Sequence, residues 1–291
     1  MKLTIIGSGV VGRATGKGFS AVGHEVTFCD INPEILDRLE SEGHSVCQPH
    51  LLEQMKGVEA FFLAISTPTV DGQIQLSFLE AAVATLGAGY LKNSKEYSVV
   101  VFRSTVPPGT TEGELIPILE RYSGKKAGKD FGVCMNPEYL REVSNEKDFK
   151  NPWIILIGEL DVKTGEILEK IYGPRDCPIF HTSLKAAEAQ KYVHNLWNAC
   201  KISFFNEMRV VCERVRVDTD EIFEIVAKSA EASWNPKYGI KNLGPFGGTC
   251  LPKDTVAFLS WAGKRLKISL PLLVAVIKVN ETAKEKYDSL K

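Results

Sequence analysis

Leu3-Thr4-Ile5-Ile6-Gly7-Ser8-Gly9-Val10-Val11-Gly12, answered at position 30 by an aspartate, is the stretch whose reading decides the fold. Leu3–Ile6 is an apolar run too short for a helix, glycines follow at 7, 9 and 12, and a second apolar run, Val26–Cys29, ends at Asp30. The order is strand, glycine turn, helix, strand. In a G-x-G-x-x-G turn the first glycine permits the tight bend, the second lets a pyrophosphate approach the backbone, and the third brings the helix close to the strand. A helix starting there points its free amides and positive dipole end at the phosphates. Asp30 is placed to accept hydrogen bonds from ribose hydroxyls, and Ile31 after it offers no cation to a 2′-phosphate. The expected cofactor is therefore NAD, held by Gly7, Gly9, Val10, Val11, Gly12 and Asp30.

Working outward, further candidate strands are Ala60–Ile65, Ser98–Phe102, Phe131–Met135, Ile154–Ile157 and Pro178–Phe180, most of them followed by a turn and a helical stretch. That alternation predicts a parallel sheet covered on both faces. Ligands of such sheets sit beyond the carboxyl ends of the strands, so Ser66-Thr67-Pro68 and Ser104-Thr105-Val106-Pro107 are expected to line the cofactor channel. From about Leu184 the pattern turns helical, through Ala186–Val215, Asp218–Ala230, Thr255–Leu266 and a final Pro271–Lys291. The predicted fold class is α/β: a Rossmann-like, mainly parallel domain over 1–183, then an all-helical domain over 184–291 built on a long helix. That helix, 186–215, carries apolar residues mostly three and four apart over more length than one domain core covers, so it is expected to pair two subunits.

Charge and composition remove other classes. Lys and Arg number 35 against 36 Asp and Glu, a net charge of −1, which provides no electrostatic footprint for nucleic acid or a membrane surface. No apolar run approaches a membrane span, and Met1-Lys2-Leu3-Thr4-Ile5-Ile6 meets glycine before a signal-peptide core can form, so a cytoplasmic protein is expected. The seven cysteines, at 29, 47, 134, 177, 200, 212 and 250, include no Cys-x-x-Cys pair, and neither a disulfide framework nor a metal site is expected. All but Cys250 read as buried reduced thiols.

Cys250 lies in Phe246-Gly247-Gly248-Thr249-Cys250-Leu251-Pro252-Lys253-Asp254, read as a loop. Two glycines ahead of a thiol admit a ligand, and a neighbouring lysine favours the thiolate that attacks carbonyls. Taken alone such a cysteine is as readily structural. Lys191 and Asn195 stand four apart on one helix face, and Glu138 and Glu142 would share a face if Asn136-Pro137-Glu138-Tyr139-Leu140-Arg141-Glu142 were helical. Each pair by itself is more often solvated surface.

With these stretches quoted, the chain resembles the UDP-glucose and GDP-mannose dehydrogenases, four-electron nucleotide-sugar oxidoreductases. The likeness runs from the glycine turn through Ser66-Thr67-Pro68, Ser104–Thr110, Asn136-Pro137-Glu138 to Glu142, Asp148-Phe149, Lys191 with Asn195, Asn206-Glu207 and the Cys250 stretch to Val279-Asn280. The resemblance implies oxidation of a sugar C6 alcohol to a carboxylate, two NAD being reduced, with a UDP-sugar the favoured substrate over a GDP-sugar. It implies Cys250 as nucleophile, Lys191 as oxyanion stabiliser, Asn195 and Asp254 holding the reacting oxygen or a water with help from Thr105, and Glu138 or Glu142 in substrate placement or as general base. Glu142 and Lys253 join the cofactor contacts, and Glu138, Tyr139, Leu140, Lys191, Asn195, Tyr238, Phe246, Gly247 and Cys250 the substrate contacts.

Three features depart from the family. Members usually continue into a third, nucleotide-gripping domain, whereas this sequence stops at Lys291; Ile154 stands where the family has an arginine after Asn-Pro-x; and Tyr238–Pro245 is short and lacks arginine. Lys237 and Lys241 are the candidate substitutes for phosphate contacts. Two other readings share the plan: a two-electron β-hydroxyacid dehydrogenase, which needs no thiol, and a silent NAD-binding subunit.

Overall fold

The computed structural model describes residues 1–141, 144–235, 238–239, 245–248 and 250–288, and for Trp234, Cys250 and 286–288 the backbone only. The chain forms two compact units, Met1–Val193 and His194–Lys291.

The first unit opens with β1 (Lys2–Ile6), α1 (Val10–Ala21), β2 (Glu25–Cys29), α2 (Pro33–Ser41), β3 (Ser45–Cys47) and β4 (Ala60–Leu63). A two-strand hairpin, β5 (Thr69–Val70) and β6 (Gln73–Ile74), precedes α3 (Ser77–Leu86), β7 (Val99–Phe102), α4 (Ile116–Ser123), β8 (Gly132–Met135), α5 (Asn145–Lys150), β9 (Ile155–Glu159), α6 (Val162–Tyr172) and β10 (Ile179–Ser183). Eight strands form one sheet in the order β10-β9-β8-β7-β4-β1-β2-β3. All neighbours run parallel except β8 and β9.

The central strands read as continuous apolar runs because both faces are covered. Along β4 and β7 successive residues alternate sides: Phe61, Leu63, Val100 and Phe102 join one core, Ala60, Phe62, Val99 and Val101 the other. The helices start where the sequence provides a cap. The Asn32 side chain accepts from Glu34 N at 2.9 Å ahead of Pro33 in α2, and Asp161 accepts from Thr164 N at 2.9 Å ahead of α6, each worth about 1 kcal/mol.

The second unit is helical. α7 (Leu184–Arg214) starts in the first unit and runs into the second, followed by α8 (Thr219–Ser229), α9 (Glu231–Trp234), α10 (Cys250–Trp261) and α11 (Pro271–Asp288). Val211, Ala262 and Leu270 form a small core with Met208, Phe258 and Leu273 packed on it. The Glu207 carboxylate accepts from Leu272 N and Leu273 N, satisfying amides at the start of α11.

Several local expectations need correction. β3 and the β5–β6 hairpin have no counterpart among the predicted strands, being two or three residues long and carrying no sustained alternation. β10 is largely exposed because it closes an edge of the sheet. Residues 136–141 are not helical, so the condition on which Glu138 and Glu142 would share a helix face is not met over those residues, and Glu142 lies outside the described residues. α10 starts at Cys250 and not at Thr255: a proline in a first turn loses no intrahelical bond, so Pro252 does not delay it. Among the other cysteines Cys29, Cys47 and Cys134 are buried, but Cys200 is exposed and Cys177 and Cys212 are half-buried.

The turn into α1 leaves no room for a side chain against its own backbone. A Cβ on Gly12 would overlap the Gly7 carbonyl oxygen, and Gly7 itself takes φ +90°. Gly12→Ala is expected to cost about 1–3 kcal/mol or more through overpacking and to weaken dinucleotide binding, as read by urea unfolding and calorimetric titration. Unchanged stability and affinity would remove this steric account.

Candidate active site

A cavity of about 660 Å³ opens at the carboxyl ends of β1, β2, β4 and β7. Gly7, Gly9, Val10, Val11, Asp30, Ser66, Thr67, Ser104 and Thr105 all line it, as the sequence leads one to expect, together with Glu138. Gly12 lies beneath the turn, Pro68 is not among the lining residues, and Glu142 falls outside the described residues. The geometry fits a dinucleotide. Gly9 caps α1 without a side-chain bond, and a Cβ there would meet nothing within 4 Å, so backbone is open to a ligand at the helix start. The Asp30 carboxylate accepts from Ser8 N at 2.6 Å and Asn32 N at 2.9 Å, which fixes it at the tip of β2. Ile31, Ile35, Pro49, Leu52, Phe78, Ala81, Ala82 and Thr85 complete an apolar wall. None of these is in the predicted site, since an apolar helix face toward a ligand looks like one toward a core.

The strand-end loops are tied to one another. Thr67 Oγ1 donates to the Thr105 carbonyl at 2.8 Å and Ser104 Oγ to the Ile65 carbonyl at 2.6 Å. The buried Glu188 carboxylate of α7 accepts from Gly109 N, and from Thr111 N at 2.7 Å. One turn further along α7, Lys191 is 6% exposed and its ammonium donates to the Glu138 carbonyl and, at 3.3 Å, to Glu138 Oε1. Leu140 N donates to Glu138 Oε2 at 2.6 Å, and the Lys191 ammonium lies 5.3 Å from the Tyr139 ring centroid. Burial pushes the Tyr139 phenol up to about 12, against the lowering effect of its hydrogen bond to Gln190. Four sequence-predicted residues, Glu138, Tyr139, Leu140 and Lys191, thus come together.

Asp148 holds the far end of this loop. It accepts from Arg141 N at 2.9 Å, Arg141 Nε at 3.0 Å, Arg141 Nη2 at 2.6 Å and Ser144 Oγ at 2.9 Å. The Arg141 guanidinium, chiefly through its hydrogen bonds, holds the Asp148 carboxyl well below the usual carboxylate range. Two residues that hold the loops, Arg103 and Glu188, are not singled out by the sequence reading. The available signal for Arg103 is a cation closing an otherwise apolar strand, directly before Ser104.

In the second unit, Asn195 is exposed on α7, and Tyr238 and Gly247 are exposed. Phe246 is held at both backbone groups by Asn280, whose Oδ1 accepts from Phe246 N at 2.7 Å and whose Nδ2 donates to Phe246 O at 3.1 Å. Lys253 Nζ pairs with Asp254 Oδ1 at 2.6 Å, both side chains in water. Cys250, backbone only, is the first residue of α10. Lys237 and Lys241 lie outside the described residues.

A glycine turn opening a helix, an aspartate at the tip of the next strand and a buried lysine paired beside the same cavity are the features of a dinucleotide-linked oxidoreductase. Residues 1–61 and 50–176 match the NAD binding domain of the UDP-glucose/GDP-mannose dehydrogenase family, and residues 185–282 match its central domain. The chain belongs to that family. It is 34% identical over 306 residues to the GDP-mannose 6-dehydrogenase of Pseudomonas aeruginosa, covering 98% of this chain and 70% of that protein. The crystal structure of a ternary complex of GDP-mannose dehydrogenase from P. aeruginosa superposes with a TM-score of 0.90 at 33% identity, covering 97% of this chain and 69% of that one. A UDP-glucose dehydrogenase from the archaeon Pyrobaculum islandicum gives a TM-score of 0.73 at 33% identity, over 97% of this chain and 68% of that one. Among the described residues no helix is long and apolar enough to cross a membrane.

This geometry supports two tests. Among the described lining residues the cation is Arg103, bonded to Asn136 and Tyr172, so no described lining residue offers a free cation to a 2′-phosphate beside Asp30. Asp30→Ala is expected to weaken NAD binding by about tenfold or more, as for loss of a charged hydrogen-bond acceptor, and to narrow the preference over NADP; calorimetry finding NADP tighter than NAD in the unmodified protein would refute the assignment. For Asp148 the folded carboxyl titrates below its unfolded value, so its stabilisation is present above about pH 4 and disappears as pH falls below it. Asp148→Asn should therefore be less stable than the unmodified protein at pH 7 and lose that deficit progressively as the pH falls below about 4. Denaturant midpoints at a series of pH values decide, and a pH-independent gap would count against it.

Proposed function

We propose that the chain oxidises the C6 hydroxyl of a nucleotide sugar to a carboxylate, reducing two NAD per sugar, as expected of its family. The observation that carries this reading is a lysine ammonium, buried and held by Glu138, a residue that itself lines the dinucleotide cavity. GDP-mannose and UDP-glucose are the two substrates to assay first, since the named relatives act on these and the GDP-mannose enzyme has the higher structural likeness.

Bound NAD supplies the hydride acceptor, positioned by Gly7, Gly9, Val10, Val11 and Asp30, with Ser66, Thr67, Ser104 and Thr105 along the channel. The chain's own groups do the rest. Lys191 places a cation where the alcohol oxygen becomes an oxyanion, and a preorganised cation of this kind is worth a few kcal/mol of barrier. Asn195, Asp254 and Thr105 hold that oxygen or a water. The Cys250 sulfur adds as thiolate to the aldehyde carbon, forming a C–S bond while the proton given up by the thiol ends on the carbonyl oxygen. After the second oxidation water attacks the thioester carbon, with Glu138 or Glu142 accepting its proton; the C–S bond breaks and thiolate leaves. A start of α10 at Cys250 supports this, because a helix N-terminus favours thiolate. Tyr139, Leu140, Tyr238, Phe246 and Gly247 are assigned to the sugar nucleotide and Lys253 to the cofactor.

The reading includes a functional division at 183/184, a cytoplasmic location and a homodimer through the long helix. Val193, Leu196, Trp197, Ile202, Phe204 and Val210 are exposed along α7, more apolar surface than a solitary helix face ordinarily leaves in water.

The test is NADH formation with GDP-mannose and UDP-glucose, counted against sugar consumed. Two NADH per sugar are expected, and Cys250→Ser should lower turnover by about 10²-fold or more while leaving NAD binding intact. One NADH per sugar, or undiminished turnover by the serine variant, would sink the proposal.

A further inference from the structure

We propose that Arg103, Asn136 and Tyr172 form a buried positioning device that fixes Glu138, and through it the Lys191 ammonium, against the cofactor cavity. The proposal rests on the reading of Lys191 given above.

Arg103 follows β7 directly and continues its ladder, its N donating to the Leu63 carbonyl at 2.9 Å. Its side chain is not the surface cation that arginine usually supplies: the residue is 3% exposed, and no described carboxylate lies within ion-pair distance of it. The guanidinium donates to Asn136 Oδ1 and, at 2.9 Å, to the Tyr172 hydroxyl, which in turn donates to Asn136 Oδ1 at 2.6 Å. Asn136 Nδ2 donates to the Leu156 carbonyl at 2.8 Å, and Asn136 N to Phe102 O at 2.8 Å. Neutral acceptors return less than a paired carboxylate would, and Arg103 Nε finds no partner among the described residues. As a stabilising element the arrangement is poor; as a clamp it is complete, since both polar atoms of the Asn136 side chain are held.

The residues after Asn136 give the clamp a purpose. Pro137 confines the preceding backbone to extended conformations, so a fixed Asn136 fixes the exit of the loop. Glu138 comes next and takes the Lys191 ammonium through both its carbonyl and its carboxylate. On its other side Arg103 runs straight into Ser104 and Thr105, which line the cofactor cavity, as do Arg103 and Glu138 themselves. One buried cation therefore ties the loop that holds the cofactor to the loop that orients the lysine.

Tyr172→Phe removes the hydroxyl while keeping the ring contacts with Phe19 and Phe149, centroids 5.4 and 6.3 Å away. The first readout needs no turnover: acetylation of Lys191 by dilute acetic anhydride, followed by peptide mass spectrometry with the exposed Lys129 as internal standard. Lys191 labelling should accelerate severalfold in Tyr172→Phe and in Arg103→Lys, whose single ammonium cannot reproduce the planar fork. Unchanged Lys191 labelling overturns the proposal whatever the activity shows. The second readout is kinetic. Tyr172→Phe should lower kcat by about tenfold with NAD affinity unchanged, because misplacing a catalytic group costs rate and not cofactor binding. In a Glu138→Gln background the same change should cost less than about twofold, the two acting through one path. Full additivity, or a loss confined to thermal stability, overturns it. Absence of sugar oxidation in the unmodified protein would defeat the functional reading and leave the labelling result standing on its own.

Discussion

α1 can begin where it does because Gly12 has no side chain. With a Cβ in the way of the Gly7 carbonyl, the helix would have to withdraw from β1, and the open backbone at Gly9 would no longer sit at the end of that strand. Everything downstream inherits this closeness. Gly16 and Gly18 continue it, since Cβ atoms there would run into Phe28 and Phe149. A helix with three glycines among its buried or contacting positions gives up intrinsic helix stability, about 1 kcal/mol per glycine relative to alanine, and gains a short separation from the sheet. The rings of Phe28 and Phe149 then fill the space that the absent side chains of Gly16 and Gly18 leave.

A parallel sheet gathers its strand ends on one edge, and the loops leaving that edge would be loose without crosslinks. Here the crosslinks are polar and buried. Glu188 binds the amides of the Gly109–Thr111 turn, Lys191 binds the Glu138 carbonyl, and both come from the first turns of α7. A single helix therefore sets the height of two loops at once. Because unpaired buried charges are far costlier than paired ones, each loop has a strong reason to return to the same place after any excursion.

Much of the fold is legible in the sequence because the buried parallel strands are uninterrupted apolar runs and the glycine turn has a fixed chemical meaning. Short edge elements are not: Ser45–Cys47 and the Thr69–Ile74 hairpin are too brief to show a period, and their existence depends on neighbours distant in sequence. The start of α10 at Cys250 is hidden because glycine and proline both flag loops, although proline in a first helical turn does no harm. At the site, Asp30 can be picked out from its place at the end of the second strand, whereas Lys191 and Glu138 taken by themselves look like solvated surface and are singled out only through the family resemblance. The apolar wall from Phe78 to Thr85 is not readable, for a side chain that contacts a ligand and one that contacts core have the same composition. Arg103 belongs to a third kind, a residue whose meaning lies in what it touches.

Buried ionic groups add little to stability by themselves, and replacing them with apolar residues of similar volume is often neutral or better. The first unit already buries two extensive apolar cores, one on each face of its sheet, so it does not need Glu188, Lys191 and Arg103 to fold. Their joint placement is better understood as a geometric demand than an energetic one. A hydride can pass only between carbons held within van der Waals contact in a defined orientation, and that degree of positioning requires loops that do not wander. Apolar packing resists compression but tolerates sliding; hydrogen-bonded charges fix direction as well as distance. The strand ends are where direction matters, and they are where this chain concentrates its buried charges.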